Sequence, residues 1–121
     1  MLKQEGYDLM GAAFEVYNVQ GHGFLEEVYQ ECLEIELEMR GIPCESQCRL
    51  KLFYKDRELQ KRYIPDLFIF DDLVVELKAL KSLASDHEAQ LINYLQATKK
   101  KVGYLINFGN AKELEWKRII I

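Results

Sequence analysis

Glu76 and Lys78 stand two residues apart in the apolar run Leu73-Val74-Val75-Glu76-Leu77-Lys78, so in a strand both project from one face. Ten residues before Glu76, Pro65-Asp66 opens another apolar run, Leu67-Phe68-Ile69-Phe70. Burying charged groups in such surroundings is costly unless they pair or bind a cation. Two carboxylates and an ammonium here therefore point to a metal site. An acid, any residue and then Lys says little by itself, since Glu115-Trp116-Lys117 has the same form. That second copy lacks a Pro-Asp ten residues earlier and a preceding apolar hairpin.

Convergence of Asp66 and Glu76 makes a demand on the turn between them. A two-residue loop at Asp71-Asp72 pairs Asp66 with Leu77 and sends Asp66 and Glu76 to opposite faces. An odd-numbered loop, a bulge, or a bend at the strand start brings them to one side.

Two helical segments add candidates. Glu26 and Glu27 follow the break Gly21-His22-Gly23. Glu26 lies one turn from Tyr29 and two from Leu33, at the border of the apolar face, whereas Glu27 stacks with Glu31 and Glu34 on the wet face. Phase thus singles out Glu26 as the inward acid; the plainer reading is an acid favoured by the helix dipole. Gln90 and Tyr94 are four apart and share a face of a later helix. They can meet a phosphate or a water, or simply border and fill the core.

The elements that must position these residues follow from periodicity. Helical spacing runs over about Tyr7–Val19, with Leu9, Met10, Ala13, Phe14, Val16 and Tyr17 inward, and over about Leu25–Arg40, closed by Gly41. From Cys44 the period becomes two, with Cys48, Leu50, Leu52 and Tyr54 alternating with Arg49, Lys51 and Phe53. Lys55–Glu58 is a polar turn, Leu59–Phe70 a second strand, and Leu73–Leu80 a third. The last two are apolar on both faces, so helices should cover both sides of the sheet. Ser85 or Asp86 caps a helix reaching about Thr98, with Ala89, Leu91, Ile92, Tyr94 and Leu95 inward. Val102–Ile106 is a buried strand reached by a parallel crossover, and Leu114–Ile121 an edge strand. The fold class is α/β: an antiparallel meander plus a parallel crossover strand in one mixed sheet, flanked by helices.

The 121 residues form a single domain over 1–121, with 49% hydrophobic and 30% charged residues. A net charge of -4 argues against coating nucleic acid by bulk electrostatics, but not against local engagement of a phosphodiester. No signal peptide is visible, and no apolar run approaches the about 20 residues of a membrane span. Cys32, Cys44 and Cys48, with only His22 and His87 beside them, lack zinc spacing and read as reduced, mostly buried thiols of a cytoplasmic protein.

Pro65-Asp66 followed by Glu76-Leu77-Lys78 resembles the PD-(D/E)XK nuclease superfamily. Gln90-Leu91-Ile92-Asn93-Tyr94 resembles the QxxxY element of its RecB-like branch, and Gly23-Phe24-Leu25-Glu26-Glu27-Val28-Tyr29 resembles the signature of the small GxxExxY family. The likeness runs from about Ala12 to Ile119. It implies a restriction-endonuclease-like fold in which Glu26, Asp66 and Glu76 ligate Mg²⁺ or Mn²⁺ and Lys78 stands near the attacking water. The backbone carbonyl of Leu77 is a plausible further ligand. The three acids and Lys78 sum to about -2, which one divalent cation neutralises. Lys78 then orients the water or stabilises the pentacovalent oxyanion, Gln90 positions water or phosphate, and Tyr94 supports it.

The function this implies is a metal-dependent nuclease acting on nucleic acid, DNA before RNA, with no membrane partner and with oligomeric state, a homodimer included, left open. Two other readings remain. A catalytically silent module of the same fold would bind nucleic acid or a protein partner. A purely structural reading makes Glu76 and Lys78 an edge ion pair and Asp66 a strand cap. Lys99–Lys101 and the cluster Lys51, Lys55, Arg57, Lys61 and Arg62 could touch phosphates or be solvated surface.

Overall fold

The two N-terminal helices form where periodicity placed them. In the computed structural model, which describes residues 1–121, α1 spans Lys3–Gln20 and α2 spans Glu26–Met39. Helix α1 buries Leu9, Met10, Ala12, Ala13 and Val16, while Phe14, expected inward, is exposed beside a cleft. Helix α2 buries Tyr29, Leu33 and Leu37, and Leu25, expected to open it, is instead its exposed N-cap. Its end is a Schellman motif: the Ile42 N–H donates to Leu37 O, and the Gly41 N–H to Glu38 O. The cap needs a left-handed residue, which Gly41 supplies at φ 68°.

The strands depart from expectation at Pro65. Strand β1 is Cys44–Glu45, β2 is Leu50–Tyr54, and β3 is Arg57–Tyr63. The stretch expected as one strand over Leu59–Phe70 is two, because Pro65 has no N–H for a ladder. Its first half, β3, pairs with β2 in a separate two-stranded sheet, turning at Lys55-Asp56 rather than over four polar residues. Its second half, β4 (Leu67–Ile69), joins the main sheet. The meander is therefore β1, β4 and β5 (Leu73–Lys78), and the Cys48–Tyr54 strand is not part of it.

A parallel crossover follows. Helix α3, Ser85–Thr98, connects β5 to β6, Val102–Asn107, which pairs parallel to β5; β7, Glu115–Ile120, closes the edge antiparallel to β6. The five-stranded order is β1-β4-β5-β6-β7. Neither Ser85 nor Asp86 caps α3. Ala84 occupies the cap, and its N–H donates to His87 Nδ1 at 3.1 Å. On α3, Ala89 is exposed, and Leu91, Leu95 and Thr98 carry the buried face.

Both sheet faces are covered. Leu73, Val75, Leu77, Tyr104 and Ile106 pack with α1 and α2, whereas Phe68, Val74 and Leu105 pack with Leu91 and Leu95 of α3 and Leu50 and Leu52 of the hairpin. Side-chain alternation then assigns Glu76 and Lys78 to the α3 face. The three cysteines are free and only partly buried, against the expectation that most were buried. No helix is long and apolar enough to cross a membrane.

Candidate active site

The β4–β5 connection has three residues, Phe70–Asp72, since Ile69 pairs with Leu73. This is the odd-numbered loop that convergence requires. Phe70 and Asp71 adopt φ 56° and 59°, and the Asp72 N–H donates to Ile69 O at 3.1 Å. Continuing the Leu67–Val75 register by one step sets Asp66 opposite Glu76.

There the side chains take over from the ladder. The Asp66 N–H donates to Glu76 Oε1 at 3.1 Å, and the Leu77 N–H donates to Asp66 Oδ2 at 2.7 Å. The Tyr63 hydroxyl also donates to Glu76 Oε1, at 2.8 Å. No buried side-chain oxygen lacks a partner, so the remaining oxygen of each carboxylate, which accepts nothing from the protein, reaches solvent.

The crowding shows in proton affinity. Burial, then the neighbouring Asp66 carboxylate, pushes the Glu76 carboxyl up to about 7, against the pull of the Tyr63 hydroxyl, the Asp66 N–H and Lys78. Burial also raises Asp66, opposed by the Leu77 N–H and Lys78. Glu26 is raised by burial and by Asp66, and lowered by Lys78. All three acids thus sit in one electrostatic neighbourhood. The salt bridges of the chain are Arg40–Glu36, Lys51–Glu58 and Arg62–Glu58, so Lys78 is paired with none of the acids. That removes the ion-pair reading of Glu76 and Lys78.

The expected cage of three acids is not closed. No three carboxylate, imidazole or thiol groups gather at distances that hold one ion. Glu26, first residue of α2, is exposed, yet the charges of Asp66 and Lys78 both act on it. Its helix still reaches the site one turn later, where Gln30 Nε2 donates to Asp66 O at 2.9 Å. The donor chemistry nevertheless suits a hard divalent cation: carboxylate oxygens that repel one another, with the Leu77 carbonyl between Glu76 and Lys78 in the chain.

Helix α3 brings the remaining candidates. Glu76, Lys78, Gln90 and Tyr94 line one small pocket, together with Tyr63 and His87. Gln90 is exposed at its rim, and Tyr94 stacks on Tyr63 with centroids 4.0 Å apart and planes 7° from parallel. Sequence reasoning missed Tyr63, Gln30 and His87. Tyr63 ends a strand assigned to a different sheet, and neither period nor spacing ties it to Glu76. Asn107 was missed as well. Fully buried, it accepts from the Leu80 and Gly109 N–H groups and donates to Leu80 O and Glu115 Oε1, while the Phe108 N–H donates to Lys78 O.

The loop before α2 is built around Tyr29. Its buried hydroxyl donates to Gly21 O and accepts from the Phe24 N–H, and its ring stacks on Phe108 at 4.8 Å. Gly23 within this loop holds φ 110°, a conformation for glycine.

A family model described as the PD-(D/E)XK nuclease superfamily matches residues 3–119. The chain belongs to that superfamily. Its fold is also similar to the solved crystal structure of SSO0001, with a TM-score of 0.60 at 18% identity, over 78% of this chain and 48% of that one. The chain therefore spans about half the length of that protein, and the likeness is one of fold. No curated protein matches the chain. The superfamily is one of nucleases, and its members generally use divalent metal ions.

Proposed function

We propose that the chain is a single nuclease domain over 1–121 that hydrolyses phosphodiester bonds of nucleic acid, DNA before RNA, with Mg²⁺ or Mn²⁺, and that it falls in the GxxExxY branch. The observation that carries this reading is the placement of Asp66 opposite Glu76, with Lys78 on the same strand face and Gln90 above. Of the GxxExxY residues, Tyr29 pins the loop that carries Gly23, through its bonds to Gly21 O and the Phe24 N–H.

Asp66 and Glu76 would hold the cation, with the Leu77 carbonyl and Glu26 as further donors. The bound ion would supply a more acidic water and relief of charge at the phosphoryl group. Lys78 offers an ammonium to the oxyanion that develops there. Gln90 can orient water or a phosphate oxygen, and the Tyr63–Tyr94 stack holds Glu76 from beside it. Purified protein should cut DNA in the presence of Mg²⁺ or Mn²⁺. Lys78→Ala and Asp66→Ala should each lower the rate by about 100-fold or more while leaving the melting temperature near wild type. Protein that cuts neither single- nor double-stranded DNA or RNA with either ion overturns the reading.

One observation favours the silent module instead: Asp66 and Glu76 already satisfy themselves on backbone N–H groups, and Glu26 does not close the cage. Calorimetry with Mn²⁺ separates the two. No heat and an unchanged melting curve select the module.

A further inference from the structure

A cleft of about 690 Å³ lies away from the carboxylates, between α1 and the β6–β7 edge, on the sheet face opposite Glu76 and Lys78. Its volume lies within the range of small-molecule sites. The wall is aromatic: Trp116 lies nearly parallel to Tyr104, planes 13° apart and centroids at 6.1 Å, with Tyr7 and Phe14 across the opening. Trp116 is 41% exposed and Tyr7 77% exposed, an unusual amount of ring surface to leave in water.

The helix side of the cleft depends on missing side chains. A Cβ on Gly6 would stand 1.8 Å from the Tyr104 hydroxyl, and one on Gly11 would meet Arg40 Nη1 at 3.1 Å. Glycine within a helix costs on the order of 1 kcal/mol relative to alanine. Here it lets α1 sit directly on Tyr104.

The charge at the cleft runs against that of the whole chain. Lys3, Arg40 and Arg118 line it against a single carboxylate, Asp8, in a protein of net charge -4. Arg40 is paired with Glu36 at 2.7 Å, and Asp8 accepts from Gln4. Lys3 and Arg118 form no salt bridge, and Arg118 donates only to the Met1 carbonyl. A flat aromatic shelf flanked by two unneutralised cations excludes cationic ligands and selects a planar ring that carries negative charge.

We propose that this cleft binds a free mononucleotide, its base on the exposed Trp116 ring, which the buried Tyr104 backs, and its phosphate between Lys3 and Arg118. The proposal is independent of hydrolysis, because the two sites lie on opposite faces of the sheet.

Trp116 is the only tryptophan, so its emission reports the cleft alone. With the protein in excess chelator, titration with AMP or dAMP should quench it saturably. Arg118→Ala, and separately the removal of phosphate by using adenosine, should each weaken binding by about tenfold or more. Lys3→Ala, at an exposed position, serves as a second variant should Arg118→Ala fail to fold. Asp66→Ala should bind AMP as tightly as wild type. Four results overturn the proposal: quenching that never saturates, adenosine binding as well as AMP, loss of binding in Asp66→Ala, or emission that shifts with protein concentration alone, which would mean that a second copy covers this face.

Discussion

At the scale of single residues, Glu76 is the group most out of its ordinary state. Its carboxyl titrates near 7 in the folded chain against 4.5 ordinarily. An acid whose folded value is raised stabilises the fold fully below its unfolded value, and that stability is lost as pH rises through the folded value. In chelator, the melting temperature should therefore fall from about pH 4.5 to about pH 7, with Glu26 and Asp66 acting in the same sense. Glu76→Gln should flatten that slope and gain on the order of 1–3 kcal/mol above pH 7, read by urea denaturation. A variant no more stable than wild type at pH 8 would show that Glu76 is not electrostatically crowded. The identity of this acid was legible from two apolar flanks and a period of two. Its protonation was not, because the Tyr63 hydroxyl that partly relieves it arrives from another sheet.

At the scale of elements, the three-residue connection Phe70–Asp72 decides whether there is a site. Sequence alone could state the condition but could not choose among its solutions. The choice lies in two non-glycine residues with positive φ, Phe70 and Asp71, which the chain tolerates because Phe70 packs against the core. Replacing Asp71-Asp72 by Asn-Gly favours a two-residue turn at those positions, which pairs Phe70 with Leu73 and turns Asp66 away from Glu76. That variant should still fold, with a lower melting point, and should lose any stabilisation by Mn²⁺; retention of the Mn²⁺ effect would contradict the register argument. The division of Leu59–Phe70 was legible in Pro65, whose missing N–H cannot serve an interior strand position. The short pairing of Cys44–Glu45 with β4 was not legible, since two residues carry no period.

At the scale of the whole molecule, the mixed sheet with layers on both faces was readable from two-sided apolar strands separated by a helix. The detached hairpin was not, because its own alternation looks the same in either sheet. Metal binding should act on this whole fold. At a Mn²⁺ concentration about 100 times the dissociation constant, wild type should gain about 2.7 kcal/mol and Asp66→Ala nothing, measured by thermal denaturation. Equal shifts in both proteins would place the ion elsewhere. Asn107 has a wider consequence. Its amide ties the segment after Lys78 to the neighbouring strands, so the amine end of β5 and the start of α3 hang from one fastening. Leu80 lies in a connecting segment, yet its amide should exchange with deuterium as slowly as those of the central strands. When that fastening opens, Lys78 and Gln90 should lose their positions together, as one cooperative fluctuation rather than two.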